Sequence, residues 1–86
     1  MKIQDGYLLK QVAGNYVVVP VGDLNFEGLI TLNETGAFLW EILEKECHED
    51  DLIQALTNEY DISKDQAKAD IQAFLEILRK ENLIHE

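Results

Sequence analysis

The sequence predicts an α+β fold: a three-stranded antiparallel sheet followed by three helices. Two observations carry this. Residues 7–32 hold short β-branched and aromatic runs separated by glycine-bearing breaks, whereas from residue 33 onward apolar residues recur at helical spacing behind recognisable caps. The order is strand, strand, strand, helix, helix, helix. Three strands cannot bury an apolar face by themselves, so the helices are expected to cover it.

The first strand is Tyr7-Leu8-Leu9-Lys10-Gln11-Val12 and the second Tyr16-Val17-Val18-Val19-Pro20-Val21. Gly14 and Asn15 between them tolerate the positive φ of a tight hairpin turn. The second run is apolar on both alternating sets, which marks the central strand, and Pro20, lacking an N–H, marks its end. Residues 22–28 read as a loop. A third short strand, Leu29-Ile30-Thr31-Leu32, follows, and alternation puts Ile30 and Leu32 on the core face.

Asn33 is the N-cap of the first helix, with Glu34 favourably placed against the helix dipole. Phe38, Leu39, Ile42 and Leu43 recur on one side with Trp40 beside them, and the helix is expected to end near Lys45 or Glu46. Glu49, Asp50 and Asp51 open a second helix with the apolar stripe Leu52, Ile53, Leu56 and Tyr60. Ser63 with Gln66 fits a capping box for a third helix, whose inner face is Ala67, Ile71, Phe74, Leu75 and Leu78. Asn82 should end it, leaving Leu83 and Ile84 to tuck back on the core. The helical part has a helix-turn-helix layout with the sheet as a wing, in one domain over residues 1–86.

Composition narrows function. The 86 residues carry 7 Lys+Arg against 17 Asp+Glu, a net charge of −10. That opposes duplex nucleic acid and anionic membrane surfaces as partners, both of which select basic faces. The single Cys47 excludes an internal disulfide and, with no signal-peptide pattern at the start, suggests a reducing cytoplasm. Catalytic constellations are thin. Cys47-His48 are adjacent, so their side chains diverge, and Cys47, His48, Glu49 and Asp50 lack zinc-site spacing. No phosphate-binding glycine loop or nucleophile elbow is present, so neither an enzyme nor a cofactor is expected.

Two features suggest binding instead. Lys64, Lys68, Leu75 and Arg79 share roughly one face of the third helix. That stripe is either a solvated surface or the wall of a groove that attracts an acidic, amphipathic peptide. The third strand should lie at the sheet edge, and it carries no proline or charge to blunt strand addition. Such an edge can dock an extended peptide through its main chain, or it can be covered by loop 22–28 or by a second copy. Alternatives are a winged-helix nucleic-acid binder and a structural, oligomerising subunit.

The segment Val12–Gly22 together with Gly28-Leu29-Ile30-Thr31-Leu32-Asn33-Glu34-Thr35-Gly36-Ala37-Phe38-Leu39-Trp40 resembles the PqqD-like family, and the LNETGAFLW stretch is its most specific part. Glu59-Tyr60-Asp61, Ala69-Asp70-Ile71 and Phe74-Leu75 extend the resemblance over nearly the whole chain. It implies a winged helix-turn-helix-like RiPP recognition element. Such a domain binds the leader segment of a ribosomally made precursor peptide and presents it to a modifying enzyme, often a radical S-adenosylmethionine enzyme. The leader adds to the third strand and lies against the third helix. Carried onto this chain, the implied peptide-binding residues are Gly28, Leu29, Ile30, Thr31 and Leu32 on the strand side, with Lys64, Lys68, Ile71, Gln72 and Leu75 on the helix. A monomer or weak dimer is expected, with no nucleic acid, membrane or metal among its partners.

Overall fold

The computed structural model describes residues 1–22 and 30–86. Its elements are β1 (Lys2–Ile3), β2 (Tyr7–Val12), β3 (Asn15–Pro20), β4 (Ile30–Leu32), α1 (Glu34–Leu43), α2 (Glu49–Glu59), α3 (Lys64–Lys80) and β5 (Ile84–His85). Strands β2, β3 and β4 form an antiparallel sheet in that order, with β3, apolar from Tyr16 to Pro20, in the centre as expected. The three helices follow, so the α+β architecture read from the sequence is the one adopted. The expected loop 22–28 and Leu29 of the third strand lie outside the described residues, Gly22 excepted.

The hairpin turn sits one residue earlier than expected. Val12 pairs with Asn15, which leaves Ala13 and Gly14 as the two turn residues, at φ 52° and 83°. Two consecutive positive φ values mark the turn whose twist matches a two-residue hairpin. Asn15 is therefore the first residue of β3 rather than a turn residue.

Asn33 caps α1 as expected: its Oδ1 accepts the Gly36 N–H at 2.7 Å. The helix stops at Leu43, short of the expected Lys45 or Glu46. At the start of α2 the His48 N–H donates to the Asp51 carboxylate at 2.8 Å, so the acidic first turn satisfies an otherwise free donor. Ser63 Oγ accepts the Gln66 N–H at 3.1 Å to begin α3. The other half of the expected box is not made, because the Gln66 amide turns along the helix to Asp70 instead.

The end of α3 explains why the chain turns back. Asn82 takes φ 56°, the Leu83 N–H donates to Leu78 O at 2.8 Å and the Asn82 N–H to Arg79 O at 3.1 Å. This is a Schellman ending, and Leu83 and Leu78 are both fully buried, which supplies its usual apolar contact. Ile84 then pairs with Ile3, and Lys2 with His85, in the short β1–β5 ribbon. Two-residue strands carry no alternation, so this ribbon has no sequence signature. The Gln4 N–H donates to Leu83 O at 2.8 Å and the Cys47 N–H to Met1 O at 3.0 Å, stitching the ribbon to the α1–α2 connection.

The core is one cluster between the sheet and the helices. Val18 and Leu32 enter it from the sheet; Leu39, Trp40, Leu43, Leu52, Leu56, Ile71, Phe74, Leu75 and Leu78 enter from the helices. Phe38 and Tyr60 meet edge to face at 5.8 Å and tie α1 to the end of α2. Among the described residues no helix is long and apolar enough to cross a membrane.

Candidate peptide-docking site

Strand β4 pairs with β3 on one side only: Ile30 with Val18, Thr31 with Val17 and Leu32 with Tyr16. Among the described residues no strand occupies its other side, and no further backbone hydrogen bond reaches residues 30–32. An edge of this kind leaves alternate N–H and C=O groups directed outward. Leu32 is buried, Ile30 half-buried and Thr31 exposed, so the core face is the one alternation assigned.

Leu32 leads straight through Asn33 into α1, with no loop between strand and helix. The Asn33 cap fixes that joint. Beside it lies a hollow of about 310 Å³ bounded by β4, the first turns of α1 and one side of α3. Leu32, Leu39 and Phe74 form its apolar floor, and Ala73, Ile77 and Asp70 its α3 wall. Gly36 opens the near side, where a Cβ would stand 3.2 Å from Asn33 Oδ1 and 3.3 Å from the Leu32 Cβ. Thr31 and Thr35 bring hydroxyls to the rim, and among the described residues Asp70 is the sole ionisable side chain of the lining. Asp70 Oδ1 accepts from the Gln66 amide at 2.8 Å. Apolar walls, a carboxylate and a backbone edge that no described strand covers can hold a chain in place. They contain no nucleophile paired with a base.

The sequence profile of Coenzyme PQQ synthesis protein D (PqqD) matches residues 15–84. The chain belongs to the PqqD family. No curated protein matches it significantly. Among solved structures, TbiB1 in complex with the TbiA(beta) leader peptide superposes with a TM-score of 0.76 at 22% identity, covering 96% of this chain and 93% of TbiB1. At that identity the likeness is one of fold.

On the PqqD-family fold of this chain, the residues expected to bind peptide divide into groups. Gly28 and Leu29 fall outside the described residues, and Ile30, Thr31 and Leu32 make up β4. Ile71 and Leu75 are closed into the core. Lys64, Lys68 and Gln72 are exposed, on the flank of α3 that faces α2. Gln72 donates to the Glu49 carboxylate of α2, and Lys64 borders a second, shallower hollow with Asp50, Ile53 and Thr57. Arg79 binds Glu86, its Nη2 donating to Oε1 at 2.8 Å, and that hydrogen bond holds the Glu86 carboxyl below its ordinary range.

At about 100° per residue, Asp70, Ala73 and Ile77 lie across the helix axis from Lys64, Lys68 and Arg79. The core stripe of α3 was legible, but it has two flanks, and only the tertiary arrangement decides which one faces β4. Ile77 held the clue. It is a large apolar residue off the inner face, 47% exposed, and it marks the flank that borders the hollow.

Cys47 is buried in the α1–α2 connection, and desolvation raises its thiol pKa above the ordinary value. A thiol held neutral is a poor nucleophile.

Proposed function

We propose that this chain is a non-catalytic recognition module. It captures the leader segment of a ribosomally synthesised precursor peptide by strand addition to β4 and presents it to a peptide-modifying enzyme, of the radical S-adenosylmethionine class that the family resemblance implies. The observation that carries the reading is the outer side of β4, unpaired among the described residues, above an apolar hollow walled by α3. Membership of the PqqD family and a fold shared with a protein solved with a leader peptide support it. The main chain of the leader would pair with residues 30–32, with Gly28 and Leu29 leading in, while alternate side chains enter the hollow against Phe74 and Ile77. Ile71 and Leu75 back that wall from the core. Lys64, Lys68 and Gln72 stand on the far flank and serve the α2 side.

The floor is built from the core residues Leu32, Leu39 and Phe74, so the ordering entropy on docking falls mainly on the leader. A small interface built on a three-residue strand suits a Kd on the order of 0.1–10 µM. A net charge of −10 disfavours tight self-association, so a monomer or weak dimer in a reducing cytoplasm is the form proposed. The test is an amide-shift titration of the ¹⁵N-labelled chain with the leader encoded beside its gene. Shifts should cluster on residues 30–32 and 70–77. Shifts confined to the α2-facing flank, or none at saturating peptide, would refute the assignment.

A further inference from the structure

Resting on that docking assignment, we infer that the segment this groove accepts is apolar and basic: a bulky apolar anchor with a Lys or Arg an even number of residues away. The cations that suggested an acidic peptide, Lys64 and Lys68, lie on the opposite flank of α3, and Arg79 is engaged by Glu86. Among the described residues the hollow itself offers Leu32, Leu39, Phe74 and Ile77 for an apolar side chain and a single carboxylate, Asp70, for a charged one. Among the described residues no salt bridge reaches Asp70, and its one hydrogen-bond partner, the Gln66 amide, is neutral and leaves the negative charge uncompensated.

Parity sets the spacing. In an added strand only alternate residues face the helix side, so the anchor and the cation must differ by two or four positions. One such step, about 6.8 Å, is close to the rise of four helical residues, about 6.0 Å, which separates Asp70 from Phe74 on the wall. An acidic segment would meet an uncompensated carboxylate in the groove and a molecule of net charge −10 around it. A basic segment would be drawn in by the same field, with an association rate that falls as salt rises.

The probe is a displayed library of random 12-residue peptides selected against the intact chain, with the winners synthesised and titrated into ¹⁵N-labelled protein. The expected result is peptides that shift residues 30–32 and 70–77, carry Lys or Arg two or four positions from a bulky apolar residue, and bind Asp70→Asn about fivefold more weakly. That substitution keeps the acceptor for Gln66, so the helix is undisturbed. Winners that shift the same residues but are acidic or indifferent to charge, or that bind Asp70→Asn equally well, overturn the inference while leaving the docking site in place. If every winner shifts other residues only, the docking assignment itself falls, and this inference with it.

Discussion

Removing the Asn33 side chain tests the joint on which the groove depends. In Asn33→Ala the Gly36 N–H loses the acceptor that stands 2.7 Å away. Gly36 is buried and Asn33 exposed, so the freed N–H is only partly open to water once that oxygen is gone. A cap lost to solvent costs about 0.5–1 kcal/mol, and a donor left dry costs more, so about 1.5–2 kcal/mol is expected here. For a domain of this size that lowers Tm by about 6–16 °C. Ser63→Ala is the internal control. Its partner, the Gln66 N–H at 3.1 Å, is exposed, so water substitutes and the loss should stay near about 0.5 kcal/mol. Asn33→Asp keeps the oxygen and should retain most of the stability. Urea unfolding followed by the emission of Trp40, the sole tryptophan and 1% exposed, reports all three variants. If Asn33→Ala costs no more than Ser63→Ala, or if Asn33→Asp costs as much as Asn33→Ala, the part-buried cap is not what secures β4 to α1.

Further outcomes follow from individual residues. Ala13 holds φ 52°, a region that disfavours a Cβ, so Ala13→Asn should raise stability by about 0.5–1 kcal/mol, read as a higher urea midpoint at unchanged slope. Ile30 and Thr31 are consecutive in an edge strand, so their N–H groups point to opposite sides. Of Ile30→Pro and Thr31→Pro, one should unsettle the β3–β4 ladder while the other leaves the circular dichroism intact and lowers leader affinity at least tenfold; two folded variants with native affinity would sink strand addition. Burial raises the Cys47 thiol pKa, so its contribution is fully present below about pH 8.5 and is lost as pH rises through the folded value. The urea midpoint of the wild type should therefore fall more between pH 8 and pH 10 than that of Cys47→Ala, and equal falls would contradict it.

Much of the fold was legible because local chemistry decided it. Asn33, Ser63 and Asn82 each mark a helix end at which the backbone needs a particular partner or a positive φ, and all three do so here. The apolar run 16–20 could be central to the sheet and little else. What stayed hidden depends on distant packing. The ribbon of residues 2–3 with 84–85 is too short to leave a pattern. The groove flank of α3 differs from the α2 flank only by what stands opposite it. Basic residues drew attention to one flank, while the other advertised itself through a single exposed isoleucine. The strand half of the proposed site, whose candidate groups are backbone, could be read from edge position alone.

The β1–β5 ribbon has a kinetic consequence. It joins residues separated by almost the full length of the chain, Ile3 opposite Ile84. Closing so large a loop early would sacrifice more chain entropy than two residue pairs return, so the clasp zips only after the helices have assembled. It is also the first place to fray under load. Force applied across residues 2 and 85 should peel this seam before it reaches the groove, leaving the β4 edge folded in a partly opened molecule.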